Sequence, residues 1–80
     1  MFTHKSQTNM SDEKYLKQLG SRIRNKRIER KLSQDKLAAL CDMEKANLSR
    51  IETGKTNTTI LTLRKISKAL FGNLSELFVD

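Results

Sequence analysis

The chain has no proline and no tryptophan, a single cysteine, a single histidine and only three glycines in 80 residues. Without proline and with glycine so sparse, no flexible linker and no low-complexity tract divides it. No Gly-rich phosphate loop is present either. One cysteine excludes an intramolecular disulfide and a cysteine-based zinc cluster. His4 stands in a polar stretch with no partner ligands at metal spacing, so it is expected to be solvated and no metal site is expected. No apolar run approaches the roughly 20 residues that span a bilayer. The first residues also lack the apolar core of a secretory signal, so a cytoplasmic location is expected. Aromatics make up 5% and hydrophobic residues 36% of the chain. A domain this short buries only about 60% of the surface of its unfolded chain. That excludes a deep substrate cavity, and no Ser, His and Asp arrangement or paired-carboxylate site is present. No enzyme activity, cofactor or small-molecule ligand is expected.

Positive charge is what the chain does have. Sixteen Lys and Arg stand against nine Asp and Glu, a formal net charge of +7. An excess of this size points to a polyanionic partner, nucleic acid or an anionic surface, unless it serves solubility alone. The placement is uneven. Arg22, Arg24, Lys26, Arg27, Arg30 and Lys31 face Glu29 alone, and Lys45, Arg50, Lys55, Arg64, Lys65 and Lys68 form a second group. Asp35, Asp42 and Glu44 form a small acidic group between them.

Hydrophobic spacing is helical throughout, and no run shows strand alternation. Residues 1–10 are polar and are expected to form a flexible arm, leaving residues 11–80 as one domain. Ser11 followed by Asp12 and Glu13 is a helix start, and Leu16, Leu19 and Ile23 recur at helical spacing beside Tyr15. This first helix is expected from about Asp12 to Arg30. Gly20 lies inside it at a cost of about 1 kcal/mol relative to Ala, which a close helix contact would explain. Ser33 is expected to cap a second helix whose buried face carries Leu37, Ala38, Leu40 and Cys41 and which ends at Asp42. A third helix runs from Glu44 or Lys45 to about Glu52, with Leu48 and Ile51 inward and Gly54 closing it. Thr58 or Thr59 caps a fourth, striped by Ile60, Leu63, Ile66 and Leu70. Asn73-Leu74-Ser75-Glu76 is a capping-box pattern opening a short fifth helix. The fold class is all-α, five short helices.

The turn between the second and third helices, about Cys41 to Glu44, is short. It suits two short helices meeting at a steep angle, a helix-turn-helix. In that motif the second helix is held out into the major groove of DNA, where base edges are distinguishable. Leu37, Cys41, Met43, Leu48 and Ile51 form the expected shared core. Lys45, Ala46, Asn47, Ser49 and Arg50 are left on the outer side, and none is a large hydrophobe. Arg bonds bidentately to guanine, Asn to adenine, and Ala touches a thymine methyl, so these five are the candidate base contacts.

From Ser21 to Lys55 the chain resembles the helix-turn-helix domain of the lambdoid phage repressors and Cro, the XRE family. The matching residues are Arg22-Ile23-Arg24, Lys26-Arg27-Ile28, Leu32-Ser33-Gln34, Leu37-Ala38, Ile51-Glu52 and Gly54-Lys55, in ungapped register. The resemblance implies a compact five-helix, lambda-repressor-like domain. By position, it implies phosphate contacts from Gln34 and its neighbour Ser33, from Arg27, and from Thr53, Lys55, Asn57 and Thr58. It implies base contacts from Lys45, Ala46 and Arg50. It also implies an internal ion pair between Arg27 and Glu52; taken alone, both residues read as solvated surface. The family often has Gly where Asp42 stands, Ser or Thr where Glu44 stands, Pro near Thr58, and Gly where Phe71 stands.

The function implied is sequence-specific regulation of transcription by a homodimer on a near-palindromic stretch of double-stranded DNA. An antitoxin of the same fold, bound to a toxin protein and its own promoter, is the alternative. A membrane-surface peptide is disfavoured because the helices are separately capped and separately amphipathic. Leu74, Leu77 and Phe78 serve either as a dimer contact, as in restriction–modification controller proteins of this fold, or as a cap on the monomer core. Asp35 either compensates a helix dipole or, as the lambdoid arrangement implies, faces RNA polymerase. Cys41 falls on an apolar helix face and is expected to be a small core residue.

Overall fold

The computed structural model describes residues 11–72. Within them lie four helices and no strand: α1 (Asp12–Glu29), α2 (Gln34–Leu40), α3 (Lys45–Glu52) and α4 (Ile60–Leu70). The all-helical class follows the sequence. The arm expected at 1–10 and the fifth helix expected to carry Leu74, Leu77 and Phe78 fall outside the described residues, so four helices are seen where five are expected.

Three of the four helices begin where a short hydroxyl side chain is available. Ser11 Oγ accepts from Lys14 N at 3.2 Å, Ser33 Oγ from Lys36 N at 3.0 Å, and Thr59 Oγ1 from Thr62 N at 3.1 Å. These bonds satisfy amides that the helix itself cannot pair. At the start of α3 Glu44 takes the cap position and makes no side-chain cap bond.

Three helices end in the same way. Lys31, Asp42 and Gly54 have φ of 60°, 56° and 73°. Behind each of them the next amide reaches back to the last helical turn: Leu32 N to Arg27 O at 3.1 Å, Met43 N to Ala38 O at 2.9 Å, and Lys55 N to Arg50 O at 2.9 Å. This is the left-handed terminator that pairs the orphan carbonyls of a helix end. Asp42 and Gly54 were legible as such residues; Lys31 was not, because a lysine carries no turn signal.

Leu19, Ile23, Leu37, Ala38, Cys41, Leu48, Ile51, Leu63, Ile66 and Leu70 form one core, with Leu32, Met43, Ala69 and Phe71 packed against it. α3 lies against α1 and α2. Two residues expected in the core are exposed instead. Leu40 is 61% exposed, because the buried arc of the seven-residue α2 is centred on Leu37, Ala38 and Cys41 and Leu40 falls off it. Ile60 is 57% exposed; it is the first residue of α4, a full turn ahead of the first buried position, Leu63. Tyr15 is also exposed. Burial pushes the Cys41 thiol above its usual range, with Lys65 opposing the shift, so Cys41 lacks the stabilised thiolate of a redox sensor. Among the described residues no helix is long and apolar enough to cross a membrane.

Gly20 has a packing reason. A Cβ there would run into the backbone carbonyls of Ile51 and Glu52 at the end of α3. The absence of a side chain lets α1 and α3 touch backbone to backbone. Gly20→Ala is expected to destabilise by about 1–3 kcal/mol, the overpacking cost exceeding the gain in helix propensity. The midpoint of urea unfolding checks it; an unchanged or higher midpoint would contradict the close contact.

Candidate nucleic-acid interface

The inner face of α3 is fixed by apolar and polar contacts together. Leu48 and Ile51 are buried, and Glu52 is 4% exposed. Arg27, in the last turns of α1, donates from Nε to Glu52 Oε2 at 2.7 Å and from Nη2 to Glu52 Oε1 at 3.1 Å. Its Nη1 donates to the carbonyl of Leu32 at 2.8 Å, in the link to α2. Gln34, the first residue of α2, donates from Nε2 to Glu52 Oε1 at 2.9 Å. One carboxylate therefore gathers donors from α1 and α2 onto the end of α3. A fork of parallel bonds to a buried carboxylate sets angle as well as distance. Arg27 is itself 9% exposed and its guanidinium is turned inward, which leaves little of it to meet a phosphate.

The outer face of α3 is open. Lys45, Ala46, Asn47 and Arg50 are exposed, while Ser49 is half-buried. Lys45 stands on one flank, beside α2, with Nζ 3.9 Å from Asp35 Oδ2. Asn47 and Arg50 line a shallow hollow on the other flank, together with Thr62 and Lys65 of α4. The face thus offers amide and guanidinium donors, a methyl group and an ammonium, the set that discriminates base edges.

Apart from Arg27, the residues implied as phosphate contacts fall into two groups. Ser33 and Gln34 sit at the start of α2, next to the Glu52 cluster. Thr53, Lys55, Asn57 and Thr58 lie on the segment between α3 and α4. Thr53 and Lys55 are exposed, but the Thr53 hydroxyl donates back to Ser49 O at 2.9 Å. Asn57 and Thr58 border a cleft against Asp12, Tyr15 and Leu16 at the start of α1. Two contacts escaped the sequence reading, Gln34 with Glu52 and Asp35 with Lys45. Both join residues on different helices, where spacing along the chain carries no signal.

Among the described residues no group of three His, Cys, Asp or Glu side chains could hold a metal ion.

Comparison with known proteins finds a family model and several relatives. The model of the helix-turn-helix family matches residues 23–77. The chain is 42% identical over 62 residues to control protein C.MunI of Mycoplasma sp, covering 76% of this chain and 84% of that protein. It is 40% identical over 52 residues to control protein C.BamHI of Bacillus amyloliquefaciens, covering 64% of each. In structure it is similar to the restriction-modification controller protein C.AhdI of Aeromonas hydrophila, with a TM-score of 0.77 and 31% identity, over 80% of this chain and 97% of that one. An HTH_3-family transcriptional regulator of Vibrio cholerae gives a TM-score of 0.77 and 37% identity over 85% of this chain and 38% of that one.

Removing Glu52 strands a buried guanidinium. Glu52→Ala is expected to cost about 3–5 kcal/mol, and Arg27→Met combined with Glu52→Leu is expected to cost less than Glu52→Ala alone. Chemical denaturation of the three proteins checks this. A loss below 1 kcal/mol, as about expected for an exposed pair, would contradict the role of the cluster.

Proposed function

The chain belongs to the helix-turn-helix family of DNA-binding transcriptional regulators, and from that premise we propose that it acts as a homodimer on a near-palindromic operator, one α3 in each half-site. Membership makes it a regulator that acts by binding, not an enzyme. The two recognition helices enter successive major grooves about 34 Å apart. Lys45, Ala46, Asn47, Ser49 and Arg50 read bases; Ser33, Gln34, Thr53, Lys55, Asn57 and Thr58 hold phosphates. Arg27 positions Gln34 through Glu52 more than it meets DNA itself. The observation that carries this reading is the contrast on α3, whose inner face is buried through Leu48, Ile51 and Glu52 while its outer face is polar and open.

The names of the relatives narrow the proposal. Two are control proteins and one is a restriction-modification controller protein. We infer that this chain governs the transcription of a restriction–modification gene set, its own gene included. That favours a regulator over an antitoxin, since none of these relatives is named as one.

Selection of bound fragments from random duplex DNA tests the reading, with an inverted repeat as the expected product. On the selected site Arg50→Ala is expected to lose about 1–3 kcal/mol and to relax the preference at one base pair. Gln34→Ala is expected to weaken all sequences about equally. An Arg50→Ala protein with the wild-type preference at every position would refute the assignment of α3.

A further inference from the structure

The contact between Asp35 and Lys45 is not needed to hold the fold. Both side chains are largely exposed, 75% and 59%, and an ion pair at 3.9 Å in water adds little stability. The start of α2 is already capped by Ser33, and α2 and α3 are joined through Leu37, Ala38 and Leu48 in the core. What the contact does is bias the ammonium of Lys45 toward α2 at the first turn of α3.

We propose that Asp35 is a specificity-determining residue of the DNA interface, acting through Lys45 by holding the ammonium toward a base edge and away from the phosphates. The inference rests on the reading that α3 enters the major groove. Lys45 is the first residue of α3, at the positive end of its dipole, where a cation is disfavoured. Glu44 makes no cap bond there, so the carboxylate of Asp35 is the anion that the ammonium is found against. An ammonium has three N–H donors. With one side of it turned to Asp35, the remaining donors can meet the O6 and N7 acceptors of one guanine.

The same carboxylate works against the wrong sequence. Asp35 follows Gln34 directly, so it sits next to a residue proposed to hold a phosphate. On a duplex without the right base, a phosphate must take Lys45 from Asp35 and then lie near an uncompensated negative charge. Specificity is a difference of affinities, and raising the cost of the wrong complex increases it as much as improving the right one.

The test compares wild type, Asp35→Asn, Lys45→Ala and the double variant. Each is measured on the duplex selected from random DNA, on its single-base variants, and on an unrelated duplex over a range of salt. Asn is also favoured at helix starts, and circular dichroism checks that helix content is kept. Asp35→Asn is expected to bind the unrelated duplex several-fold more tightly, with a salt slope steeper by about one as Lys45 turns to a phosphate. It is also expected to flatten the preference at one base pair and leave the others. In the Lys45→Ala background the same change should leave that preference unmoved.

The proposal is overturned if Asp35→Asn changes neither the unrelated-duplex affinity nor any base preference. A loss of transcription with both unchanged would overturn it too and would mark Asp35 as a polymerase contact. An equal effect in the Lys45→Ala background would show that Asp35 does not act through Lys45. Arg50→Ala is run alongside. If it relaxes a base preference and Asp35→Asn does not, this inference alone fails; if no variant alters any preference, the groove reading fails with it.

Discussion

One buried carboxylate sets the arrangement on which the rest depends. Glu52 ends α3, and its two oxygens accept from Arg27 on α1 and from Gln34 at the start of α2. A carboxylate 4% exposed would be costly to bury without such partners. Its need for donors therefore fixes where three helices meet. The same corner is made tight by Gly20, which lets α1 lie against the backbone of Ile51 and Glu52. With the inner face of α3 locked at this point, the direction of its outer face follows. A helix turned about its axis by one residue would bring Thr53 inward in place of Glu52 and leave the guanidinium of Arg27 without its fork.

Much of this was legible in the sequence, and what was legible is what local chemistry controls. Ser11, Ser33 and Thr59 announce helix starts because only a short side-chain oxygen reaches the free amides of the first turn. Asp42 and Gly54 announce ends because they tolerate a left-handed backbone. The stripes of α1 and α4 supply half of the core, Leu19 and Ile23 with Leu63, Ile66 and Leu70. The failures share a cause. Hydrophobicity puts Leu40 and Ile60 inside, yet burial depends on what faces a residue: the expected face of α2 holds at Leu37, Ala38 and Cys41 and stops short of Leu40. Lys31 ends α1 in a conformation its residue type does not favour, so its signal lies in the bonds behind it, Lys31 N to Ile28 O and Leu32 N to Arg27 O.

The candidate interface was read at two depths. The outer residues of α3 were visible because helical geometry alone separates Lys45, Ala46, Asn47 and Arg50 from Leu48 and Ile51. The Arg27–Glu52 pair came only through family resemblance, since 25 residues separate the partners and two isolated charges read as surface. Gln34 bonded to Glu52, and Asp35 beside Lys45, came only from the structure. They show two contacts at the start of α2: one side of it braces the inner corner of α3, and the other lies against the first turn of the outer face.

The central claim is that the outer face of α3, flanked by the start of α2 and the segment after α3, is the surface that meets DNA. Titrating the selected duplex into isotope-labelled protein and following backbone amide resonances tests this most directly. The expected result is that residues 33–35, 45–50 and 53–58 shift most, with the buried amides of Ile23 and Ile66 nearly still. The claim is contradicted if those segments stay unmoved while the far side of α1, around Gln18 and Asn25, or the exposed face of α4, around Leu61 and Lys68, responds.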